Sequence, residues 1–388
     1  MFKKNYDYII VATILICHYL YLSNFSNLYI YEIYDYYLGV NNTFHDFFWY
    51  PSNAFINKIN VFNQFEANYP SNQPAPNYSL LHTIIFTPFG KLNYNFSKIL
   101  YLITNLILLF EIYRLLRKNF FLDNKIFFLF CFFLFSPTLI FCLKVGQYSI
   151  FCLWGFLIFF TSNNRLFKFI GILIATLKYT FAPIIFFYLF FEKNFLTIIT
   201  LIIVNIFAVY FYSIYFDVSF INALINPVLT GWKTQATGVG DLLSLLGNYP
   251  KFPFNIIIIL STIFILHYFI HYNLRRCRKF DFIIVSIITL ISLRHLSYDY
   301  IFIMPIILML SDKIKIKSKI ILLIIFFYFL FILPWTILEP IRYTKIFILF
   351  NLVLNLILLF IVLKLEIKNK YYKYYNLILD KYFLRKHK

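Results

Sequence analysis

The feature that most constrains this chain is a succession of apolar runs too numerous for any water-soluble core. They fall at about 8–23, 97–116, 125–143, 147–162, 165–178, 180–193, 195–215, 253–272, 280–294, 298–311, 318–336 and 343–364. A helix needs roughly 17–25 apolar residues to cross the hydrocarbon core of a bilayer, and somewhat fewer where protein surrounds it. Backbone in lipid must satisfy its own hydrogen bonds, so runs of this kind predict helices. The composition agrees: 388 residues, 61% hydrophobic, only 13% charged, with a mean hydropathy of +0.75. A soluble domain of this size keeps a mostly polar shell. The expectation is an all-α, polytopic integral membrane protein of about twelve transmembrane helices. No linker or soluble domain interrupts it, so residues 1–388 form one domain, with 312–388 a C-terminal hairpin of spans followed by a basic tail.

A net charge of +19 would suggest a nucleic-acid partner in a soluble chain. Here the Lys and Arg residues sit in clusters between apolar runs, which is how topology is encoded by the positive-inside rule. Lys3/Lys4, Arg114/Arg117/Lys118/Lys125, Arg165/Lys168, Lys193, Arg275/Arg276/Arg278/Lys279, Lys313/Lys315/Lys317/Lys319 and the tail from Lys364 all fall on one side. That holds only if 78–92, which contains Pro88, does not cross but forms a re-entrant or interfacial helix. The first run lacks a small-residue cleavage site, with Tyr19-Leu20-Tyr21-Leu22 in its place, and is read as a retained span. Both termini are then cytoplasmic. The excess of Phe, Tyr, Ile, Asn and Lys looks like AT-rich codon usage, which suggests a bacterial inner membrane with a periplasmic polar face. The five cysteines have no paired spacing and read as small hydrophobes.

Two long polar connections, 24–96 and 216–252, lie on the non-cytoplasmic side, and long loops in compact domains usually carry function. Asp46, among the aromatics of Phe44-His45-Asp46-Phe47-Phe48-Trp49-Tyr50, suits a general base whose pKa is raised at a membrane surface; an ordinary solvated loop carboxylate is the plainer reading. Gln147, in Lys144-Val145-Gly146-Gln147-Tyr148-Ser149, offers a donor and an acceptor to a hydroxylated ligand, or marks a simple turn. Lys178 interrupts an apolar stretch on the side where basic residues are rare. A phosphate partner explains it, and so does snorkelling to the interface. Gln235 sits in the second loop, and Arg294, His295, Tyr298 and Asp299 gather a fixed cation, an imidazole and a carboxylate at the mouth of a span. Arg can grip phosphate through two parallel hydrogen bonds; a structural Arg294–Asp299 pair is the alternative. Glu111 is explained by Arg114 one turn on.

Taken in order, these motifs resemble the glycosyltransferase family 87 group, polyprenyl-phosphate-mannose-dependent mannosyltransferase-like proteins of GT-C fold. The matching residues are Asp46-Phe47 with Tyr50 and Ala54, Pro76-Asn77-Tyr78 through Pro88-Phe89, Gly146-Gln147-Tyr148-Ser149, Gly171 through Lys178 to Pro183, Thr234-Gln235-Ala236, and Ser297-Tyr298-Asp299-Tyr300. They cover about residues 1–311. Ser149 stands where the family has Asn, and Tyr298 and Tyr300 stand where it tends to have Trp and His. The resemblance implies transfer of a hexose, mannose in the family, from a polyprenyl-phosphate carrier to a glycan or glycolipid hydroxyl outside the cytoplasm. Asp46 would be the base, and Lys178 or Arg294 would stabilise the lipid phosphate as it leaves. Neither metal nor cofactor is implied, and the partners are the donor lipid, the acceptor and the membrane. A lipid-linked oligosaccharide flippase or polymerase and a secondary transporter share the apolar chain. The first predicts charges lining several spans, the second paired broken helices near the midplane.

Overall fold

The computed structural model describes residues 6–24, 49–62, 78–120, 124–233, 240–246, 254–273, 278–293, 295, 297–311, 316–336 and 344–386. Asp46, Gln235 and Arg294 lie outside them. The described chain is all-α, and its one β contact is an isolated antiparallel bridge between Tyr78 and Lys178.

The helices are α1 (Tyr6–Asn24), α2 (Trp49–Ile56), α3 (Leu80–Ile85), α4 (Thr87–Gly90), α5 (Tyr94–Phe120), α6 (Asn124–Leu134), α7 (Pro137–Val145), α8 (Ser149–Thr161), α9 (Arg165–Thr176), α10 (Ala182–Phe191) and α11 (Phe195–Tyr215). They continue with α12 (Phe220–Lys233), α13 (Leu242–Leu246), α14 (Phe254–Asn273), α15 (Arg278–Ser292), a 3-10 turn (Ser297–Phe302), α16 (Ile303–Ser311), α17 (Ile316–Phe327), a π segment (Tyr328–Ile332), α18 (Leu333–Thr336) and α19 (Lys345–Lys386).

Every apolar run of the sequence contains helix, yet few of these helices are long. Among the described residues, three are long and apolar enough to cross a membrane: Tyr94–Asn119, Phe195–Tyr215 and Lys345–Leu365. A fourth is gained if α6 and α7 form one span bent by 46°. The bend has a local cause: Pro137 opens α7 and removes a donor, while Ser136 caps the new helix by accepting from the Leu139 amide. The remaining apolar helices are shorter, 10–17 residues, so length alone supports three or four crossings and not twelve.

Segment 78–92 is not one helix but two short ones, of six and four residues, which break at Phe86 ahead of Pro88. Helix α12 falls where the sequence suggested only a connection. Its apolar residues Ile221, Leu224 and Ile225 are exposed on one face, while Asn222, Asn226 and Pro227 keep the run short of a span.

Packing distinguishes centre from periphery. In α15, Phe282 through Val285, Ile287, Ile288, Leu290 and Ile291 are all buried, as expected for a helix enclosed by others. Helix α11 instead exposes Leu196, Ile199, Ile203, Ile206 and Phe207 along its length, the pattern of a helix facing lipid. Helices α8 and α9 approach so closely that a Cβ on Gly155 would lie 2.5 Å from the Gly171 carbonyl oxygen, and one on Gly171 2.6 Å from that of Gly155. Small residues that let backbones meet are how helices associate where hydrophobic attraction is absent. Helix α2 is pinned to the α3–α4 pair, with the Trp49 indole donating to the Leu92 carbonyl and the Asn53 amide to that of Gly90, each at 2.9 Å.

Candidate functional site

Three interruptions of helix meet at one place. Helix α7 ends at Gly146, whose φ of 78° turns the chain in the left-handed conformation glycine adopts without strain. The Gln147 amide then closes the turn on the Cys142 carbonyl at 3.0 Å, and α8 starts two residues later at Ser149. Between α9 and α10 the chain leaves the helix at Leu177 and re-enters at Ala182, with Pro183 in the first turn; Lys178 lies in that gap. After α15 the chain passes His295 and winds into the 3-10 turn that carries Asp299.

Asp299 is the hub. Its Oδ1 accepts from Lys178 Nζ at 2.5 Å and from Ser149 Oγ at 2.5 Å, and Lys178 Nζ also reaches Ser149 Oγ at 3.3 Å. Its Oδ2 faces His295 Nδ1 at 3.2 Å. The ammonium and the carboxylate are only 7% and 2% exposed, so this is a fully desolvated ion pair, a kind retained only when its other polar bonds are also satisfied.

His295 Nε2 lies 2.6 Å from the Thr289 carbonyl oxygen, which can only accept, so Nε2 carries a hydrogen. Nδ1 faces a second oxygen in Asp299, so the imidazole bridges the Thr289 carbonyl and the carboxylate and forms a triplet with Asp299 and Lys178.

A second carboxylate flanks the triplet. Asp241 Oδ2 accepts from the His295 backbone amide at 3.3 Å, and Asp241 is held by the Ser244 amide at 2.7 Å and hydroxyl at 2.9 Å. Burial pushes its carboxyl above the ordinary range, opposed by His295 and these hydrogen bonds. Gly240 brings it there: a Cβ would come within 2.5 Å of Asn351 Cβ and 2.7 Å of the Tyr300 hydroxyl. That hydroxyl accepts from the Asn355 amide at 3.1 Å.

The other wall is aromatic. Tyr78 donates to Gln147 Oε1 at 3.0 Å, and the next residue, Ser79, bonds the Leu177 carbonyl at 3.0 Å. The segment before α3 is thereby tied to both turns of the site. Tyr101 donates to the Gln147 carbonyl at 2.6 Å. Tyr78 stacks on His82 at 4.6 Å, with Tyr148 edge-on at 4.7 Å; burial lowers the His82 pKa to about 3, which keeps the imidazole neutral.

Of the residues singled out by sequence, Gln147, Lys178, His295 and Asp299 therefore lie in one buried assembly. The side chain of Tyr298 lies outside the described residues, as do Asp46, Gln235 and Arg294. Lys178 does not snorkel: its ammonium is inside the protein. Asp299 has Lys178 as its cationic partner. Ser149, Tyr78 and Asp241 complete the assembly and were not candidates. Ser149 belongs to the Gly146-Gln147 turn motif, and Asp241 follows a glycine in an acid-poor chain, but nothing in their spacing joins them to residue 299. No group of three His, Cys, Asp or Glu residues among the described residues is placed to hold a metal ion. No family model, curated protein or solved structure matches the chain.

Proposed function

We propose that this protein is a GT-C-like glycosyltransferase that moves a hexose, mannose by the family resemblance, from a polyprenyl-phosphate carrier to a glycan or glycolipid hydroxyl on the non-cytoplasmic side of a bacterial inner membrane. The observation that carries the reading is the buried Lys178–Asp299–His295 cluster where three helix interruptions meet. Helices α8, α9 and α10 have 13, 12 and 10 residues, or roughly 15–20 Å at about 1.5 Å per residue. The hydrocarbon core is about 30 Å thick. With their other ends at the basic, cytoplasmic side, the cluster sits on the order of 10 Å inside the outer boundary. That depth suits a phosphate whose isoprenoid tail remains in lipid.

In this reading the acceptor hydroxyl attacks the anomeric carbon as Asp46 takes its proton. The bond between that carbon and the phosphate oxygen breaks, and its electron pair leaves on the polyprenyl phosphate, which gains one negative charge. Lys178, exchanging Asp299 for phosphate, offsets that charge. Gln147 and Tyr78, which bond each other, would exchange that contact for sugar hydroxyls.

The test is transfer from radiolabelled polyprenyl-phosphate mannose by membranes carrying the wild type, Asp46→Asn or Lys178→Ala. Asp46→Asn is expected to insert normally and to abolish transfer. Lys178→Ala is expected to weaken donor binding more than acceptor binding. Retained transfer by the first variant removes Asp46 as base, and unchanged donor affinity in the second removes the phosphate role. Reporter fusions at residues 58 and 233 should both report the outside.

A secondary transporter is the second reading, favoured by the 46° break in α6–α7 and by helix ends converging on a buried ion pair. Uptake by proteoliposomes in the absence of any sugar transfer selects it.

A further inference from the structure

The opposite ends of α8, α9, α10 and α15 enclose a second polar space, independent of the proposed reaction. A cavity of about 400 Å³ is lined by Lys168, Tyr188, Glu192, Lys193 and Asp281, with Phe160 on its apolar side. Asp281 is buried, and its Oδ2 accepts from the Tyr188 hydroxyl at 3.1 Å. At the rim, Lys193 takes a φ of 56°, and the turn is closed by the Asn194 amide on the Leu189 carbonyl at 2.9 Å. That turn joins α10 to α11 through three residues, Glu192, Lys193 and Asn194. The first side chains of α11, Phe195 and Leu196, are exposed, as are Leu166 and Phe167 of α9.

Two properties of the cavity select its ligand. Two lysines and two carboxylates line one space, and Lys168, Glu192 and Asp281 already have partners. A ligand that replaces those contacts must therefore carry both signs: its anionic oxygens meet Lys168 and Lys193, and its ammonium meets Asp281 and Glu192. The exposed Leu166 and Phe167 just before Lys168, and Phe195 and Leu196 just after Asn194, are suited to hydrocarbon rather than water. A phosphate diester joined to a primary ammonium, with acyl chains attached, satisfies both. We propose that this cavity is a binding site for the headgroup of a phosphatidylethanolamine-type lipid of the cytoplasmic leaflet. A primary ammonium donates three hydrogen bonds, whereas a trimethylammonium donates none and a glycerol headgroup carries no cation.

The test is native mass spectrometry of the delipidated full-length protein titrated with phosphatidylethanolamine, phosphatidylglycerol or phosphatidylcholine. Phosphatidylethanolamine is expected to bind about tenfold more tightly than the other two. Asp281→Asn should remove that preference while leaving phosphatidylglycerol binding unchanged, and Lys193→Gln, at the exposed rim, should weaken both. Equal binding of the three lipids by the wild type, or an unchanged preference in Asp281→Asn, overturns the proposal and shows that the four charges merely satisfy one another. Free phosphoethanolamine binding as tightly as the lipid overturns the membrane source of the ligand.

Discussion

Breaking the Lys178–Asp299 pair from its two ends should have unequal consequences. Asp299→Asn removes the carboxylate and leaves an ammonium in a site where the Lys178 side chain is 7% exposed. Removing one partner of a buried pair costs about 3–5 kcal/mol, mostly because the remaining charge is uncompensated. Lys178→Met keeps the volume and the apolar stem and removes the cation, while Asp299 retains Ser149 and His295. Its cost should be smaller, about 1–3 kcal/mol. The double variant Lys178→Met/Asp299→Asn strands no charge, so it should be more stable than Asp299→Asn alone, with a coupling energy of roughly 2–3 kcal/mol. The assay is unfolding of the purified protein in one detergent, ranking midpoints of the wild type, both single variants and the double variant. A double variant at or below the midpoint of Asp299→Asn would refute the argument, because Lys178 would then contribute nothing that depends on Asp299. The same set separates stability from function: the double variant should be well folded and still fail to bind the donor lipid.

Gly155→Ala places a methyl group 2.5 Å from the Gly171 carbonyl oxygen. It should therefore force α8 and α9 apart and destabilise the protein by about 1–3 kcal/mol, whereas Ala at a lipid-facing position of α11 such as Ile203 should leave the unfolding midpoint nearly unchanged. For Asp241, a carboxyl raised by burial binds a proton more readily in the folded chain than in the unfolded one. Its ionisation therefore lowers stability as pH rises from the ordinary value of 3.8 through the raised one, and acidification restores it. Asp241→Asn should flatten that part of the profile of unfolding midpoint against pH; an identical slope in the variant assigns the dependence to another group.

The helices were legible in the sequence because hydrophobic runs dictate helix in lipid whatever their tertiary partners. Their lengths were not. Whether an apolar run makes one helix or two depends on single residues: Pro137 with its Ser136 cap bends one run, and Gly146 ends another. Lys178 stood out as a cation interrupting an apolar stretch, and Gln147, His295 and Asp299 as polar groups beside apolar runs. What sequence could not supply was pairing. Lys178 and Asp299 are separated by 121 positions and Ser149 and Asp299 by 150, and no periodicity links them. Proximity along the chain offered Arg294 as an alternative partner of Asp299; the fold brings Lys178 to that carboxylate, because Gly155 and Gly171 hold α8 against α9 and so place Ser149 beside residue 178.

The short central helices and the long, exposed α11 have a common consequence. Helices α8, α9 and α10 carry the ion pair at one set of ends and the mixed-charge cavity at the other. A separation of roughly 15–20 Å between polar regions falls well short of the hydrocarbon thickness. Charges at both ends are tolerable only because surrounding helices such as α11, of 21 residues, meet the lipid in their place and keep these polar groups inside protein. For the proposed transfer from a lipid-linked donor, that arrangement would let a phosphate be drawn below the headgroup plane, where an ammonium acts with less screening by water, while its hydrophobic tail remains in the bilayer.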